Sequence, residues 1–171
     1  MLFLAMQLKG GVMPRTTNLN PNIAAFLDMI ALSEIGEKLL ASSDDGYNVI
    51  VGGTLFNDYC DHPNVLVPLP KLGVSSTAAG RYQLLRRYFI AYKNEFPRHI
   101  GDFSPYAQDW IAMQQIREQR AIPDVIAGRF DVAVKKVANI WASLPGAGYG
   151  QHENRLDVLR LAFVNAGGVL V

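Results

Sequence analysis

The segment from Asn20 to Glu34 constrains the fold of this chain more than any other. Asn20 is a preferred N-cap residue, and Pro21 suits the first helical position, where its missing N–H would have no partner in any case. Apolar side chains follow at helical spacing, at positions 23, 26, 27 and 30, and Glu34 continues the same stripe. The pattern predicts a helix packed against a core, with a carboxylate on its apolar face.

The rest of the chain predicts a mainly helical α+β domain with one small β unit. Residues 47–51 are rich in β-forming side chains, and the glycine pair at 52–53 predicts a tight turn into a second strand over residues 55–59. We therefore expect a small antiparallel sheet near residues 47–60. Helical spacing predicts further helices at 78–93, 105–117 (after an N-cap at Ser104), 122–127, 132–144 and 154–165.

Three segments show neither the helical nor the strand periodicity of apolar residues, and we expect them to be loops. Residues 36–46 have mixed character, and residues 145–150 are rich in glycine. Residues 61–76 contain three prolines, which do not fit the interior of a regular sheet. A loop of that length inside a compact domain is usually functional or mobile.

The length of 171 residues is that of one domain, expected to span residues 20–171 after a flexible extension over residues 1–19. The 16 basic and 15 acidic residues nearly cancel, which disfavours nucleic acid as a partner, because domains that bind it carry a basic surplus. Cys60 is the only cysteine, so no disulfide can form within the chain. A small buried or half-buried residue is expected there.

The apolar stretch at the N-terminus is shorter than the ~18 residues that a membrane helix needs. It also lacks the basic start and the longer apolar core of a secretory signal. We therefore expect a chain made in the cytoplasm, without stable insertion into a membrane.

Glu34 is the leading candidate for a catalytic group. A carboxyl group on an apolar helix face loses hydration, which raises its pKa and keeps it protonated near neutral pH, as a general acid for glycoside cleavage requires. The alternative is a glutamate that turns to solvent or pairs with Lys38 at i+4. Glycosidases usually use a second carboxylate, and spacing singles out none of the available ones, which are Asp44, Asp45, Asp58 and Asp61.

The histidines at 62, 99 and 152 share no metal-ligand spacing, and the sequence contains no zinc, nucleophile-elbow or phosphate-loop motif. No metal or cofactor is therefore expected.

Two glycine-containing segments are candidates for ligand binding. Residues 77–83 place small residues, including Gly80, before a Tyr-Gln pair, which suits close approach of a ligand to the backbone. Residues 145–151 present Tyr149 from a loop, where it can stack on a sugar. By pattern alone, a helix start is the favoured interpretation of residues 77–83, and a turn is the favoured interpretation of residues 145–151.

Several blocks, taken together and in one order, resemble the lambda-type phage endolysins, a family of peptidoglycan lytic transglycosylases. The resemblance extends from about residue 25 to about residue 168. It rests on Phe26-Leu-Asp-Met29, Ser33-Glu34, Gly46-Tyr47, Val49-Ile-Val-Gly-Gly53, Asp58-Tyr59, Asp61-His-Pro63, Ala79-Gly-Arg-Tyr-Gln-Leu-Leu85, Asp102-Phe-Ser-Pro105, Gln114-Gln-Ile116, the segment 139–151 and Ala166-Gly-Gly168.

The resemblance implies a lysozyme-like fold in which Glu34 ends a helix beside a cleft. Residues 64–76 and 143–154 would form two mobile lips over a glycan. The segment from Gly80 to Gln83 is similar to a glycine-aromatic-glutamine motif of cellular lytic transglycosylases. The residues implied to bind substrate are Tyr47, Asn48, Gly80, Tyr82, Gln83 and Tyr149. This chain departs from the family pattern at Asn48, which replaces an aspartate, and at Ile35, which replaces a glycine.

The chemistry that the resemblance implies is lytic transglycosylation of peptidoglycan glycan strands. Glu34 would protonate the oxygen that links N-acetylmuramic acid to N-acetylglucosamine. It would then take the proton of the muramic C6 hydroxyl as that hydroxyl attacks C1, which gives a 1,6-anhydro sugar without water or a second carboxylate. The resemblance also implies a monomer that acts in the periplasm for host lysis and reaches it through a separate holin.

Two other functions stay open at this point. A hydrolytic muramidase would use Asp44, Asp45 or Asp58 to help activate a water molecule. An inactive peptidoglycan-binding module, such as a prophage remnant, is disfavoured by the presence of Glu34 and of both lips.

Overall fold

A computed structural model describes residues 16–171, and a set of seven α-helices carries the fold over this range. They are α1 (Pro21–Ile35), α2 (Glu37–Ser42), α3 (Arg86–Glu95), α4 (Pro105–Glu118), α5 (Ile122–Ile126), α6 (Phe130–Val137) and α7 (Leu156–Asn165). Two short strands, β1 (Val67–Leu69) and β2 (Val74–Ser76), pair antiparallel around a 3-10 turn at Pro70–Leu72. The mainly helical α+β class that the sequence predicts is confirmed.

The helix α1 is the centre of the molecule. The side chain of Asn20 accepts a hydrogen bond from the N–H of Asn22 at 2.9 Å, and Pro21 takes the first helical position, so the predicted cap is confirmed. α1 packs against α7, α5, α2 and α4, and its side chains are buried on nearly every side rather than along one stripe. In the last turn, Glu34 is half-buried.

Two clusters of buried apolar side chains form the core. The larger surrounds α1 and takes side chains from α4, α5, α6 and α7. The smaller combines α3, the first part of α4 and residues 50–56. Val49 and Tyr82 join the larger cluster, whereas their near neighbours Ile50 and Leu84 join the smaller one. The segments that carry these four side chains therefore connect the two halves of the core.

The predicted position of the sheet, near residues 47–60, is wrong. That segment contains an isolated antiparallel bridge between Val49 and Leu55, and Ile50 bridges Ala79 instead. The regular ladder forms at residues 67–76, within the segment whose prolines predicted a loop. Pro68 is tolerated there because β1 pairs with β2 alone and keeps one open edge.

The helix predicted at 78–93 begins only at Arg86. Residues 78–84 instead follow a turn with left-handed backbone at Gly80 and Gln83, and they bond through the backbone to residues 49–51. Tertiary pairing with the 49–51 segment thus overrides the helical spacing of the side chains.

Two further helix boundaries differ from the prediction. Residues 36–46 contain α2, a short helix that begins without a side-chain cap and therefore leaves no local start signal in the sequence. α6 ends at Val137 rather than at residue 144, because the chain continues as turns closed at Ile140 and Leu144. The prediction of α4 after a Ser104 cap is confirmed, since that side chain accepts from the N–H of Ala107.

The expected flexible extension over residues 1–19 falls mostly on residues 1–15, which lie outside the described residues. Thr16 donates its N–H to Asp109 at 2.9 Å, and Leu19 packs against the larger core cluster. Within residues 16–171, no helix is long and apolar enough to cross a membrane.

Candidate active site

Glu34 is held by neutral hydrogen-bond donors at the end of the central helix. Its Oε1 accepts from the hydroxyl of Ser143 at 2.5 Å and from the backbone N–H of the same residue at 3.3 Å. Burial raises the pKa of Glu34, and the two bonds from Ser143 offset part of that rise. Lys38, the alternative partner, contributes nothing to the shift. The carboxyl therefore keeps its proton to higher pH than an ordinary glutamate does, which favours a role as a general acid.

Ser143 opens the glycine-rich segment 143–154, which we call the glycine lip. Within it, the carboxylate of Glu153 accepts the backbone N–H groups of Gly146 and Gly148, both at 2.8 Å. The N–H of Asn154 donates to the carbonyl of Ser143 at 2.8 Å, which closes the lip at its base. These bonds hold the lip as one unit and keep Ser143 against the acid.

The predicted binding residue Tyr149 lies at the tip of the glycine lip. Its side chain is 55% exposed, and its hydroxyl donates to the carbonyl of Asn139 at 2.7 Å. That bond fixes the ring while leaving surface on which a sugar can stack.

The second expected lip, residues 64–76, contains a pair of strands instead of the carboxylate bonds that hold the glycine lip, and we call it the β lip. The β1–β2 ladder supports it. It exposes several large apolar side chains, Leu66 most of all among them at 65%, with Val65, Leu72 and Val74. Such side chains can pack against the apolar faces of sugar rings.

The four aspartates considered as a second carboxylate are committed elsewhere. Asp44 accepts from the hydroxyl of Tyr59 at 2.6 Å, and Asp45 pairs with Arg81 at 2.9 Å. Asp58 accepts the N–H of Cys60 in the exposed part of the chain. Asp61 pairs with Arg86 at 2.7 Å, and it is also exposed. The pKa shift of Glu34 has two causes, burial and the hydrogen bonds from neutral Ser143. None of these four aspartates contributes to it.

Tyr47 and Tyr82 do not lie on an exposed surface, although the resemblance implied that both bind substrate. Their side chains are 0% and 5% exposed, and both hydroxyls donate to Oδ1 of Asp109, at 2.8 and 2.7 Å. A buried hydroxyl that is already paired cannot reach a glycan without breaking that bond. The two tyrosines are therefore joined to α4 through Asp109 and are part of the interior.

Gly80 and Gln83 also brace the segment rather than leave it open. A Cβ on Gly80 would lie 2.2 Å from Oε1 of Gln108, and φ there is +79°, so the close approach predicted for a ligand is made by a protein side chain. The amide of Gln83 donates to the carbonyl of Gly80 at 2.9 Å, and it stays half-buried. Trp141 donates its indole N–H to the carbonyl of Tyr82 at 3.2 Å, which brings this segment to the base of the glycine lip.

Asn48, the last predicted binding residue, is half-buried. Its Oδ1 accepts the N–H of Asp44 at 2.8 Å and so closes the turn that precedes it. This bond uses an oxygen that aspartate also has, so the replacement of the family's aspartate preserves the local turn.

The histidines are dispersed in the fold. His62 is buried, its Nδ1 accepts from Asn64 and its Nε2–H donates to the carbonyl of Leu84, and burial lowers its pKa. His99 stacks on Trp110, and His152 is exposed. Among residues 16–171, no group of metal-ligating side chains lies together.

The expected burial of Cys60 is wrong, since the structure places it on the surface. Its position follows from the turn that Asp58 caps, because the N–H of Cys60 must face that carboxylate. The same carboxylate raises the pKa of the thiol, which lowers its reactivity.

Sequence reasoning missed the residues that surround the acid and the tyrosines. Ser143 lies 109 positions from Glu34, and no local pattern links the two. Arg81 is fully buried, bonds Asp28 at 2.6 Å and lies over the ring of Tyr47. A lone arginine between a glycine and a tyrosine predicts a surface position as readily as a buried one, so the sequence contained no signal for its role.

Comparison with known proteins adds independent evidence. A family model described as Endolysin matches residues 24–170 of this chain. The endolysin of Escherichia phage lambda is 49% identical over 154 residues, which cover 89% of this chain and 95% of that protein. The endolysin of Escherichia phage P2 is 45% identical over 161 residues, with 89% and 96% covered.

Solved structures agree with these sequence matches. The structure of bacteriophage lambda lysozyme complexed with a chitohexasaccharide has a TM-score of 0.84 at 47% identity and covers 91% of this chain and 100% of its own. Another structure of lysozyme from bacteriophage lambda has a TM-score of 0.79 at 46% identity, with the same coverage. The expected lysozyme-like fold is confirmed.

Proposed function

This chain belongs to the endolysin family, and we propose on that premise that it cleaves the β-1,4 bond between N-acetylmuramic acid and N-acetylglucosamine in peptidoglycan by lytic transglycosylation. Glu34 is the catalytic acid and then the catalytic base. The observation that carries the proposal is a half-buried carboxyl whose pKa is raised by burial and whose partners are all neutral.

In the first step, Glu34 donates its proton to the bridging oxygen, and the bond from that oxygen to C1 of the muramic residue breaks. Positive charge then develops on the muramic ring, and its own acetamido group can stabilise that charge. The carboxylate left on Glu34 is stabilised by the two donors of Ser143.

In the second step, the carboxylate of Glu34 takes the proton of the C6 hydroxyl, and the C6 oxygen forms a bond to C1. The product is a 1,6-anhydro end, Glu34 regains its proton, and no water is consumed. The two steps together need only one carboxyl group. This agrees with the structure, in which Asp44, Asp45, Asp58 and Asp61 bond other partners.

Substrate binding is proposed for the parts of the site that expose surface. Tyr149 on the glycine lip and the apolar side chains of the β lip are the best placed by exposure. Gln83 and Asn48 are half-buried and contribute through polar groups. The complex of the lambda lysozyme with a chitohexasaccharide supports a glycan as the ligand class.

The biological setting that we propose is lysis of the host at phage release. The enzyme would be a monomer made in the cytoplasm that works on the wall in the periplasm, with a separate holin giving it access. No metal or cofactor is needed for the chemistry described.

The proposal is tested by Glu34→Gln, with Glu37→Gln as the matched control. Glu37 is exposed in the first turn of α2, close in sequence but outside the site. We expect Glu34→Gln to lose at least about a thousandfold of its activity on purified peptidoglycan and on chloroform-treated Gram-negative cells, with a melting temperature no lower than that of the parent protein. Glu37→Gln should keep full activity. Full activity in Glu34→Gln would contradict the assignment, and binding to peptidoglycan without release of fragments by the parent protein would favour an inactive binding module.

A further inference from the structure

A chain of hydrogen bonds connects the glycine lip to the catalytic carboxyl. The side-chain amide of Asn154 donates to Oγ of Ser33 at 3.0 Å and to the carbonyl of Ser33 at 3.3 Å. The hydroxyls of Ser33 and Ser143 lie 2.7 Å apart, and Ser143 bonds Oε1 of Glu34 at 2.5 Å. Four side chains from α1 and the lip thus form one continuous path that ends on the acid.

When Glu34 is a carboxylate, which can only accept, the direction of every bond in this path is fixed. The carbonyl of Ser33 can only accept, so the Asn154 group that faces it is the NH₂ group. Ser143 gives its hydroxyl proton to Glu34, so Ser33 must give its own hydroxyl proton to Ser143. Each hydroxyl accepts from the residue before it and donates to the residue after it.

The same logic decides which oxygen of Glu34 carries the proton. Oε1 receives two donors, the hydroxyl and the backbone N–H of Ser143, and an N–H can only donate. A proton on Oε1 would displace the hydroxyl proton of Ser143 and weaken the bond from the N–H, because a hydroxyl oxygen is a poorer acceptor than a carbonyl oxygen. The proton of the acid therefore belongs on Oε2, which none of these donors occupies.

We propose that Ser143, Ser33 and Asn154 are positioning residues that hold Oε1 as an acceptor, place the transferable proton on Oε2 and stabilise the carboxylate between the two steps of the reaction. The inference rests on the proposed function and extends it. It makes the glycine lip part of the proton chemistry, because Ser143 and Asn154 belong to the lip and are bonded to each other at its base.

The path also sets the balance between the two roles of Glu34. Donors on Oε1 favour the charged form and so make Glu34 a better acid and a weaker base than burial alone would leave it. Loss of these donors should slow proton donation to the bridging oxygen.

The test is a titration of the Glu34 carboxyl by carbon-13 NMR, assigned by its absence in Glu34→Gln, together with the pH profile of kcat. For Ser143→Ala we expect the pKa of Glu34 to rise, with about a tenfold higher proton affinity, because one hydrogen bond to a charged group is lost. The alkaline limb of the kcat profile should move to higher pH, and kcat should fall about tenfold.

Ser33→Ala and Asn154→Ala should have smaller effects of the same sign, about threefold and twofold, since each acts through the next hydroxyl. In a Ser143→Ala background, Ser33→Ala should change nothing further, because its effect on Glu34 passes through Ser143. Ser143→Thr keeps a hydroxyl and should recover most of the loss. Ser42→Ala, at an exposed serine that ends α2, is the matched control and should match the parent protein.

An unchanged titration of Glu34 in Ser143→Ala, or full additivity of the two serine variants, would overturn the proposal. If Ser143→Ala does not fold, Ser33→Ala carries the same test one bond farther from the acid. The titration does not depend on turnover, so it separates this inference from the proposed function. An active Glu34→Gln would refute the function, whereas an unshifted titration beside an inactive Glu34→Gln would refute only the positioning role.

Discussion

Asp28 and Glu34 lie on the same helix, and burial raises the pKa of both carboxyl groups, yet their partners differ in kind. Asp28 faces the guanidinium of Arg81 at 2.6 Å, whose other partners include Asp45. Glu34 faces a serine hydroxyl and a backbone N–H. A charged partner ties a carboxylate into the core, whereas neutral donors leave a carboxyl that can give its proton away and recover it.

The comparison shows why a raised pKa alone does not identify a catalytic group. At Asp28 the effect of burial exceeds that of Arg81, and the pKa reaches about 7. The residues around Asp28 nevertheless form a structural network. Arg81 is fully buried, and its backbone N–H donates to Oε1 of Gln108. Accessibility and the identity of the donors separate the two sites.

Removal of the charged partner of Asp28 should have the largest effect on stability. Arg81→Met should lower the free energy of unfolding by about 3–5 kcal/mol above pH 7, where Asp28 is ionised, because it leaves a buried carboxylate without its partner. Chemical denaturation at pH 8 measures this loss. The folded protein should retain Glu34 chemistry, because Ser143, not Arg81, bonds the acid.

Arg86→Met is the matched control, because Arg86 pairs with the exposed Asp61 at 2.7 Å. That variant should lose at most about 1 kcal/mol. Equal stability of the two variants would show that the Arg81 network is not structural.

The raised pKa of Asp28 should make the stability of the protein depend on pH. Folded Asp28 keeps its proton up to a pKa of about 7, above its ordinary value of 3.8, so between these pH values the folded state binds the extra proton. The free energy of unfolding should therefore fall as pH rises, by up to about 1.4 kcal/mol per pH unit. Asp28→Asn should remove this slope. Because Glu34 contributes a slope of the same sign, the measurement is made in a Glu34→Gln background, and an identical slope with and without Asp28 would contradict the burial argument.

Two substitutions with small expected effects distinguish the buried Tyr82, which supports the fold, from the exposed Tyr149, which is proposed to contact the substrate. Tyr82→Phe removes one buried bond to Asp109, so it should cost about 1 kcal/mol of stability and leave KM unchanged. Tyr149→Ala removes an exposed ring, so it should raise KM about threefold to tenfold and leave the melting temperature unchanged. Denaturation curves and kinetics on soluble glycan fragments measure both. A raised KM for Tyr82→Phe with unchanged stability would show that Tyr82 contacts the substrate.

Local rules predicted those parts of the fold that depend on neighbouring residues. The caps at Asn20 and Ser104 satisfy free N–H groups within a turn, so the sequence alone identifies them. The prediction of a helix before Arg86 from its helical spacing was wrong, because residues 78–84 form backbone hydrogen bonds with residues 49–51. The sheet position failed for a similar reason, since pairing partners are chosen by tertiary contacts.

At the site, the helix pattern and the family resemblance both indicated Glu34. The roles of Tyr47 and Tyr82 were not predictable, because their burial depends on Asp109, a distant residue on α4. Ser143 lay within a recognised segment, yet its bond to the acid follows from how the glycine lip folds back on α1. Long-range hydrogen bonds of this kind leave no periodicity in a sequence.

Mass spectrometry of the muropeptides released from purified peptidoglycan, in water enriched in oxygen-18, shows directly which group attacks C1. A reaction in which Glu34 acts as acid and then as base gives 1,6-anhydro-muramic ends that carry no label. Reducing muramic ends in place of anhydro ends would show that water attacks C1, which would contradict transglycosylation and favour a hydrolytic muramidase.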